Sequence, residues 1–319
     1  MKFYFKCGII FLRVDIKFGF KEKVVMKIVP SRKLVDLHVH SNVSDGTLSP
    51  KEVVKHASDI GVTVMALTDH DTVAGIGEAS EAAKQYEIEL IPGIEISAGF
   101  RNRDIHILGY FIDINNAEFN SVLEKAWIKR EERNLKIAER FLKYDIALDL
   151  DAIKKISGSS VITRAHFARW LVDNGYCRSN SEVFEKYLGN DCPCYVPRDY
   201  MTRETAVKAI LSAGGVPVLA HPMLYGLNSC EVDTLVGELK EMGLKGIETY
   251  YSSNMGMDEQ IVRSLAEKHR LIMTGGSDYH GDNKPGLEIG IGRSDSLRVP
   301  MKCAEDLFAA AGKSFSLPV

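Results

Sequence analysis

The chain has 319 residues, 45% of them hydrophobic and 26% charged, ordinary globular values that exclude a disordered tail protein or a coiled coil. Forty basic against forty-three acidic side chains leave a formal charge of −3, so no global basic field marks a nucleic-acid coat, although a local basic groove is compatible with it. Six cysteines, at 7, 177, 192, 194, 230 and 303, are too few and too scattered for a disulfide framework and read as reduced thiols.

In chain order, residues 1–20 contain one short apolar stretch, 7–12, which Arg13, Asp15 and Lys17 end early. No small-residue cleavage site follows, so a signal peptide is not read here, and no run approaches the ~18 apolar residues of a membrane span. A translation start at Met26-Lys27 is the favoured reading, which makes the first 25 residues a start-site artefact. Residues 1–30 are set apart as an N-terminal extension, and a cytoplasmic protein is expected.

From there a short apolar run, a polar loop and a helical pattern recur. The runs lie at 34–37, 62–68, 88–91, 105–110, 216–220, 246–250 and 271–274, short and rich in β-branched residues, as strands buried on both faces should be. Ser49-Pro50-Lys51-Glu52 is a capping box with proline at the first helical position, and Gly61 marks the end of that helix. The alternation predicts a parallel sheet, and seven runs favour a closed or distorted (β/α) barrel over an open sheet. Residues 115–200 break the pattern. A long charged helix is expected over 119–144, with Leu123, Trp127, Leu135, Ala138 and Leu142 as its apolar stripe, followed by shorter helices at 149–156, 163–174 and 181–188. The runs Glu131-Glu132-Arg133 and Lys154-Lys155 read as solvated helix surface. Cys192-Pro-Cys194 resembles half a metal knuckle with no second pair to complete it. The expected layout is a barrel from 31–114 and 201–298, a helical subdomain inserted at 115–200, and a C-terminal tail at 299–319.

The chemistry lies at the strand ends. His38-Val39-His40 follows the first run, and period-two alternation puts both imidazoles on one face. Asp45 lies in the next loop, Asp69-His70-Asp71 follows the second run, and Glu95 follows the third. His106 is in the fourth, His221 caps the fifth, and Asp278-Tyr279-His280 follows the seventh. Strand C-termini of a β/α barrel converge on one rim. Imidazole and carboxylate without thiolate suit zinc, manganese or iron. Asp69 and Asp71 read equally as ligand-orienting groups or as turn residues, Glu248 has no assigned role, and His56 and His269 read as surface and helix-terminal residues.

The segments Asp36-Leu-His-Val-His40 with Ser44-Asp45-Gly46, Leu67-Thr-Asp-His70-Asp, Pro92-Gly-Ile-Glu95, Leu219-Ala-His221-Pro and Gly276-Ser-Asp278-Tyr-His280 resemble the motifs of the PHP (polymerase and histidinol phosphatase) family in residue type, order and spacing. The resemblance covers about residues 34–292 and implies a distorted seven-stranded β/α barrel. Asp45, the helical insertion and Ile162-Thr-Arg164-Ala-His166-Phe-Ala resemble the branch that includes nucleoside 3',5'-bisphosphate phosphatases and 5'-to-3' exoribonucleases. That branch implies a centre of three divalent ions, manganese first, with zinc or iron as alternatives. His38, His40, Glu95 and Asp278 would hold one ion. Glu95 would bridge to a second held by His106 and His221, and Asp45, His70 and His280 would hold the third. Arg164 and His166 would bind a small nucleotide or a short 5'-phosphorylated RNA. No residue is assigned as acid for the leaving group. The rival readings are a histidinol-phosphate phosphatase and a nonhydrolytic nucleotide-binding module.

Overall fold

The computed structural model describes residues 2–6, 9–13, 33–101, 103–157 and 162–317. The expected start at Met26 and the thiol of Cys7 lie outside them. Strands β1 (Lys2–Lys6) and β2 (Ile9–Arg13) form an antiparallel hairpin. Strands β3 (Leu34–Val39), β4 (Val62–Leu67), β5 (Glu89–Phe100), β6 (Arg103–Tyr110), the two-residue β7 (Met201–Thr202), β8 (Val216–Leu219), β9 (Gly246–Tyr251) and β10 (Ile272–Gly276) build one sheet. Its order is β10-β9-β8-β6-β5-β4-β3, with β7 beside β5, and every expected apolar run supplies one of the seven ordered strands.

The sheet is not all parallel. β6 runs antiparallel to both β5 and β8. Two residues separate β5 from β6, far too few for the crossover that a parallel pair requires, so the chain turns back as a hairpin.

First and last strands meet, so the barrel is nearly closed. The Asp278 N–H donates to the His38 carbonyl at 2.8 Å, and the His40 N–H donates to the Tyr279 carbonyl at 2.9 Å. Buried Asp36 reinforces this seam by accepting from the N–H groups of His38 (3.2 Å), Ser277 (2.8 Å) and Gly290 (2.7 Å). Gly276 permits the approach, because a Cβ there would lie 2.4 Å from His38 Cβ and 2.5 Å from its backbone nitrogen.

Helix α1 (Pro50–Ile60) is bounded as its sequence predicts: Ser49 and Glu52 form the capping box, and Gly61 takes φ 99°. After α2 (Ile76–Tyr86), the insertion contributes α3 (Ala117–Leu142), α4 (Leu150–Ser157), α5 (Arg164–Asp173) and α6 (Asn180–Val183), the last continuing into a π-helical turn at Phe184–Leu188. Its helices share a hydrophobic cluster that includes Ile137, Phe141, Ile153, Phe167, Leu171 and Leu188. Helices α7 (Arg203–Ser212), α8 (Ser229–Met242) and α9 (Asp258–His269) pack Val207, Leu235 and Val262 against Ile94, Ile107 and Ile247 of the sheet. After the short hairpin β11 (Leu287–Glu288) and β12 (Gly292–Arg293), α10 (Met301–Ala310), within the expected tail, packs Ala304, Leu307 and Phe308 against Leu37 and Val218.

The apolar stripe expected on α3 is wrong by about a third of a turn. Leu123 is buried, but Leu135 and Leu142 are exposed at 54% and 59%, and Trp127 is 39% exposed. The packed face is Phe119, Leu123, Arg133, Asn134, Ile137 and Phe141. Phe119, Leu123, Ile137 and Phe141 of that face pack on the hydrophobic clusters, whereas Arg133 lines a polar cleft, and a hydrophobic pattern cannot recognise it as buried. Arg133, read as solvated surface, is buried and donates from Nε to the Val196 carbonyl at 2.9 Å.

Among the described residues, no helix is long and apolar enough to cross a membrane. Their five cysteines are free, and none belongs to a possible metal cluster.

Candidate metal centre

Glu95 is the hub. Its Oε1 lies 2.9 Å from both His106 Nδ1 and His221 Nε2. Its Oε2 lies 3.3, 3.2 and 3.1 Å from ring nitrogens of His38, His40 and His70. Glu95 is thus fully buried among five imidazoles. Around it, Asp278 Oδ1 stands 3.6, 3.4 and 3.3 Å from nitrogens of His38, His40 and His280. Asp45 Oδ1 stands 3.2 Å from His280 Nε2, and its Oδ2 3.8 Å from His70 Nε2. All nine side chains expected as ligands therefore meet in one place.

They do not all sit at strand ends. Glu95 and His106 are mid-strand, and they reach the rim for one reason: antiparallel β6 brings its early residues beside the later half of β5, with Ser97 opposite His106. Backbone conformation is unusual here, with positive φ at Asp71 (54°), His221 (22°) and Asp278 (57°). Such strain tends to persist at functional sites, where the surroundings over-determine it.

The donors fit metal ions. His40 Nδ1, His70 Nδ1, His221 Nδ1 and Glu95 Oε2 are buried without a hydrogen-bond partner. Buried nitrogen and carboxylate donors left without a hydrogen-bond partner, beside a cluster of ligand atoms this close, suit a divalent cation. Four overlapping sets have ligand atoms within 4.8 Å of one another: His40/Asp45/His70/His280, His38/Glu95/His221, His38/His40/Asp278 and His70/Glu95/His106. Within these sets His221 groups with His38 and Glu95, and His106 with His70 and Glu95, while His106 and His221 share Glu95 Oε1.

Without an ion, the cluster holds protons instead. Burial alone would lower the His40 pKa, but Asp278, Glu95 and Asp45 raise it to about 9. His106 is likewise opposed by burial yet raised to about 10 by Glu95 and Asp104. His38 is pushed well above its ordinary value by Glu248, Glu95 and Asp278 against the same burial. His70 goes the other way, down to about 4, because burial outweighs Glu95 and Asp45. Burial would raise Glu95, Asp45 and Asp278, but the surrounding imidazoles hold all three well below the carboxylate range.

A second ring of residues holds the first. Glu248 accepts from His38 Nδ1 at 3.0 Å and from the His221 N–H at 2.8 Å, orienting two candidate ligands at once. Sequence gave it no role, although a carboxylate on a strand buried on both faces was the signal available. Asp69 accepts from the Ser41 N–H (2.8 Å), Ser41 Oγ (2.7 Å) and Ser44 Oγ (2.6 Å), and so shapes the loop that carries Asp45. Asp71 accepts from the Ser97 N–H at 2.9 Å and pairs with Arg130 and, at 2.8 Å, Arg198, tying the insertion to the barrel. His56 and His269 lie elsewhere, on Glu288 and Asp233.

The insertion forms the far wall. A cavity of ≈ 970 Å³ runs from Asp45, Glu95, His221 and Asp278 to Thr163, His166 and Arg169. A smaller cleft of ≈ 290 Å³ adjoins it, where Asp45, His70 and His106 face Arg130, Arg133, Arg164 and Arg198. The Arg133 pKa falls to about 10 through burial and through its neighbours Arg164, Arg198 and Arg130. Thr163 is the N-cap of α5. Arg164 donates to the Leu188 carbonyl at 3.2 Å and lies 5.3 Å above the Tyr195 ring. The Thr163 N–H donates to His166 Nδ1 at 3.1 Å, so the ring proton of neutral His166 is on Nε2.

Residues 36–189 match the PHP domain model. A 5'-3' exoribonuclease of Haemophilus influenzae is 38% identical over 248 residues, which are 78% of this chain and 90% of that protein. A 3',5'-nucleoside bisphosphate phosphatase of Chromobacterium violaceum is 34% identical over 257 residues, 80% of this chain and 90% of that one. A solved structure from Bifidobacterium adolescentis, described as a metal-dependent phosphoesterase, matches with TM-score 0.74 and 28% identity over 87% of this chain and 96% of its own. Similarity of this extent, over a nearly closed barrel with its imidazole–carboxylate cluster, means that the chain belongs to the PHP domain family.

Proposed function

We propose that this PHP-family phosphoesterase hydrolyses phosphate esters of small nucleotides, either nucleoside 3',5'-bisphosphates or short 5'-phosphorylated RNA. The observation that carries the reading is the cleft of four guanidiniums beside the candidate centre. Four cations crowded into one wall, two of them (Arg130 and Arg133) with their pKa depressed, form a seat for an anion that is held and not cleaved. The relatives named as an exoribonuclease and a bisphosphate phosphatase support the same substrate class.

In this reading Glu95 and the eight other expected ligands hold three divalent ions, manganese first. Bound there, the ions would supply Lewis acidity at the phosphoryl group and an activated water near neutral pH. The chain's own residues do the rest. Glu248 fixes the His38 ring and the His221 backbone, Arg130, Arg133, Arg164 and Arg198 orient the second phosphate, and the His166 Nε2–H offers a donor to a sugar or phosphoryl oxygen. Residues 115–200 act as a subdomain that supplies this substrate wall, and 31–114 with 201–298 supply the centre. The location is cytoplasmic, in keeping with free thiols throughout the described residues.

The test is phosphate or mononucleotide release, with and without added manganese, from adenosine 3',5'-bisphosphate, a 5'-phosphorylated oligoribonucleotide, histidinol phosphate and p-nitrophenyl phosphate. The nucleotide substrates should exceed the other two in kcat/KM. Preference for histidinol phosphate would overturn the substrate class, and silence on all four would favour a binding module.

A further inference from the structure

Asp278 uses its two oxygens differently. Oδ1 faces the imidazole cluster, whereas Oδ2 accepts the Tyr251 hydroxyl at 2.6 Å and pairs with the Lys284 ammonium. Tyr251 alone would satisfy Oδ2 if the lysine left. The Lys284 side chain is 35% exposed and lines the ≈ 970 Å³ cavity. Its own N–H donates to the Gly281 carbonyl at 3.1 Å, and the turn before it is held by the Asp282 N–H on Thr47 Oγ1 (3.0 Å) and by Asn283 Nδ2 on the Asp45 carbonyl (2.7 Å). A fixed base with a flexible four-carbon stem lets the ammonium turn from Asp278 to a ligand in the cavity.

Charge placement gives that turn a purpose. The lysine and arginine side chains lining the cavity among the described residues are Arg169 and Lys284, and Arg169 lies 3.7 Å from its own partner, Asp173. The arginine cleft shares Asp45, His70 and His106 with the cavity but not Asp278 or His280, so Lys284 approaches the centre from a different side. A divalent ion at Oδ1 would also weaken the hold of Asp278 on the ammonium by like-charge repulsion.

We propose that Lys284 is a substrate-binding residue which grips a non-bridging oxygen of the phosphoryl group under attack, from the Asp278 side of the centre. This rests on the phosphoesterase reading above. It predicts a contact common to every phosphate ester, unlike the arginine cleft, which serves only substrates with a second phosphate.

The experiment compares metal-loaded wild type with Lys284→Met and Lys284→Arg. Losing one charge-assisted contact should weaken inorganic phosphate binding, read by calorimetry, by about 10- to 150-fold. The kcat/KM for p-nitrophenyl phosphate and for adenosine 3',5'-bisphosphate should fall together, Lys284→Arg should recover part of both, and the ions per chain should stay unchanged. Unaltered phosphate binding would overturn the proposal. So would a fall in metal content, which would make Lys284 a positioning residue acting through Asp278. Calorimetry reads the contact even if wild type hydrolyses neither ester, so this inference and the phosphoesterase reading fail separately.

Discussion

Replacing Glu95 by glutamine keeps its shape but removes a charge facing five imidazoles, whereas replacing Glu248 disturbs only the orientation of two residues. Glu248→Gln should cost about 10- to 100-fold in metal affinity or activity, the usual range for an outer partner. Glu95→Gln should exceed it and reduce the ions per chain, measured by elemental analysis; equal effects would remove Glu95 from the hub. At the far wall, Arg164→Ala should lower kcat/KM for a bisphosphorylated nucleotide by about 10- to 150-fold. Hydrolysis of p-nitrophenyl phosphate should barely change. Equal losses on both substrates would mean that Arg164 supports the fold through Leu188 and Tyr195. The nine central residues were legible because each is a ligand-type side chain at or near a predicted strand. Glu248 was not, since one carboxylate looks like any other until its partners are placed. Arg130, Arg133 and Arg198 were hidden because charged residues on a helix or loop default to solvent.

Among elements, the seam between β10 and β3 is the least forgiving. A methyl group at Gly276 meets His38 backbone as well as its Cβ, so relief requires the strands to part. Gly276→Ala should cost about 1–3 kcal/mol, as overpacking does. Because His38 and Asp278 flank the contact, it should also weaken metal binding. Thermal melts and metal titration check this, and a stable variant with wild-type metal affinity would mean the seam is looser than drawn. Helix α1 was readable to the residue because its stop and start signals are local chemistry: a capping box, a proline and a left-handed glycine. The phase of α3 and the direction of β6 were not. One depends on what the helix faces and the other on a two-residue connection, and neither leaves a periodic trace.

For the whole molecule, the charge state of the centre couples stability to pH. His40 and His106, with folded pKa values of about 9 and about 10, stabilise the ion-free fold fully below their unfolded value near 6.5 and lose that contribution as pH rises through 9 and 10. Glu95, Asp45 and Asp278, depressed, contribute above about pH 4–5 and lose it in acid, while His70, lowered to about 4, also disfavours the fold as pH drops below about 6.5. Without ions, melting should therefore peak near pH 5–6.5 and fall by about 5 °C or more by pH 9.5. Added manganese should abolish that decline, because ions take the deprotonated imidazoles, and excess metal should partly rescue the acid limb of activity. Superimposable melting curves with chelator and with manganese would contradict both the protonation pattern and the metal centre. The same architecture has a consequence for biosynthesis. The centre spans His38 to His280, and its seam joins β3 to β10 through Asp36, Ser277 and Gly290. A nascent chain on the ribosome has thus made every other strand of the barrel before β10 and the turn after it can complete the donor set. A chain truncated before Asp278 inherits most of the strands and helices but lacks Asp278 and His280 of the donor sets.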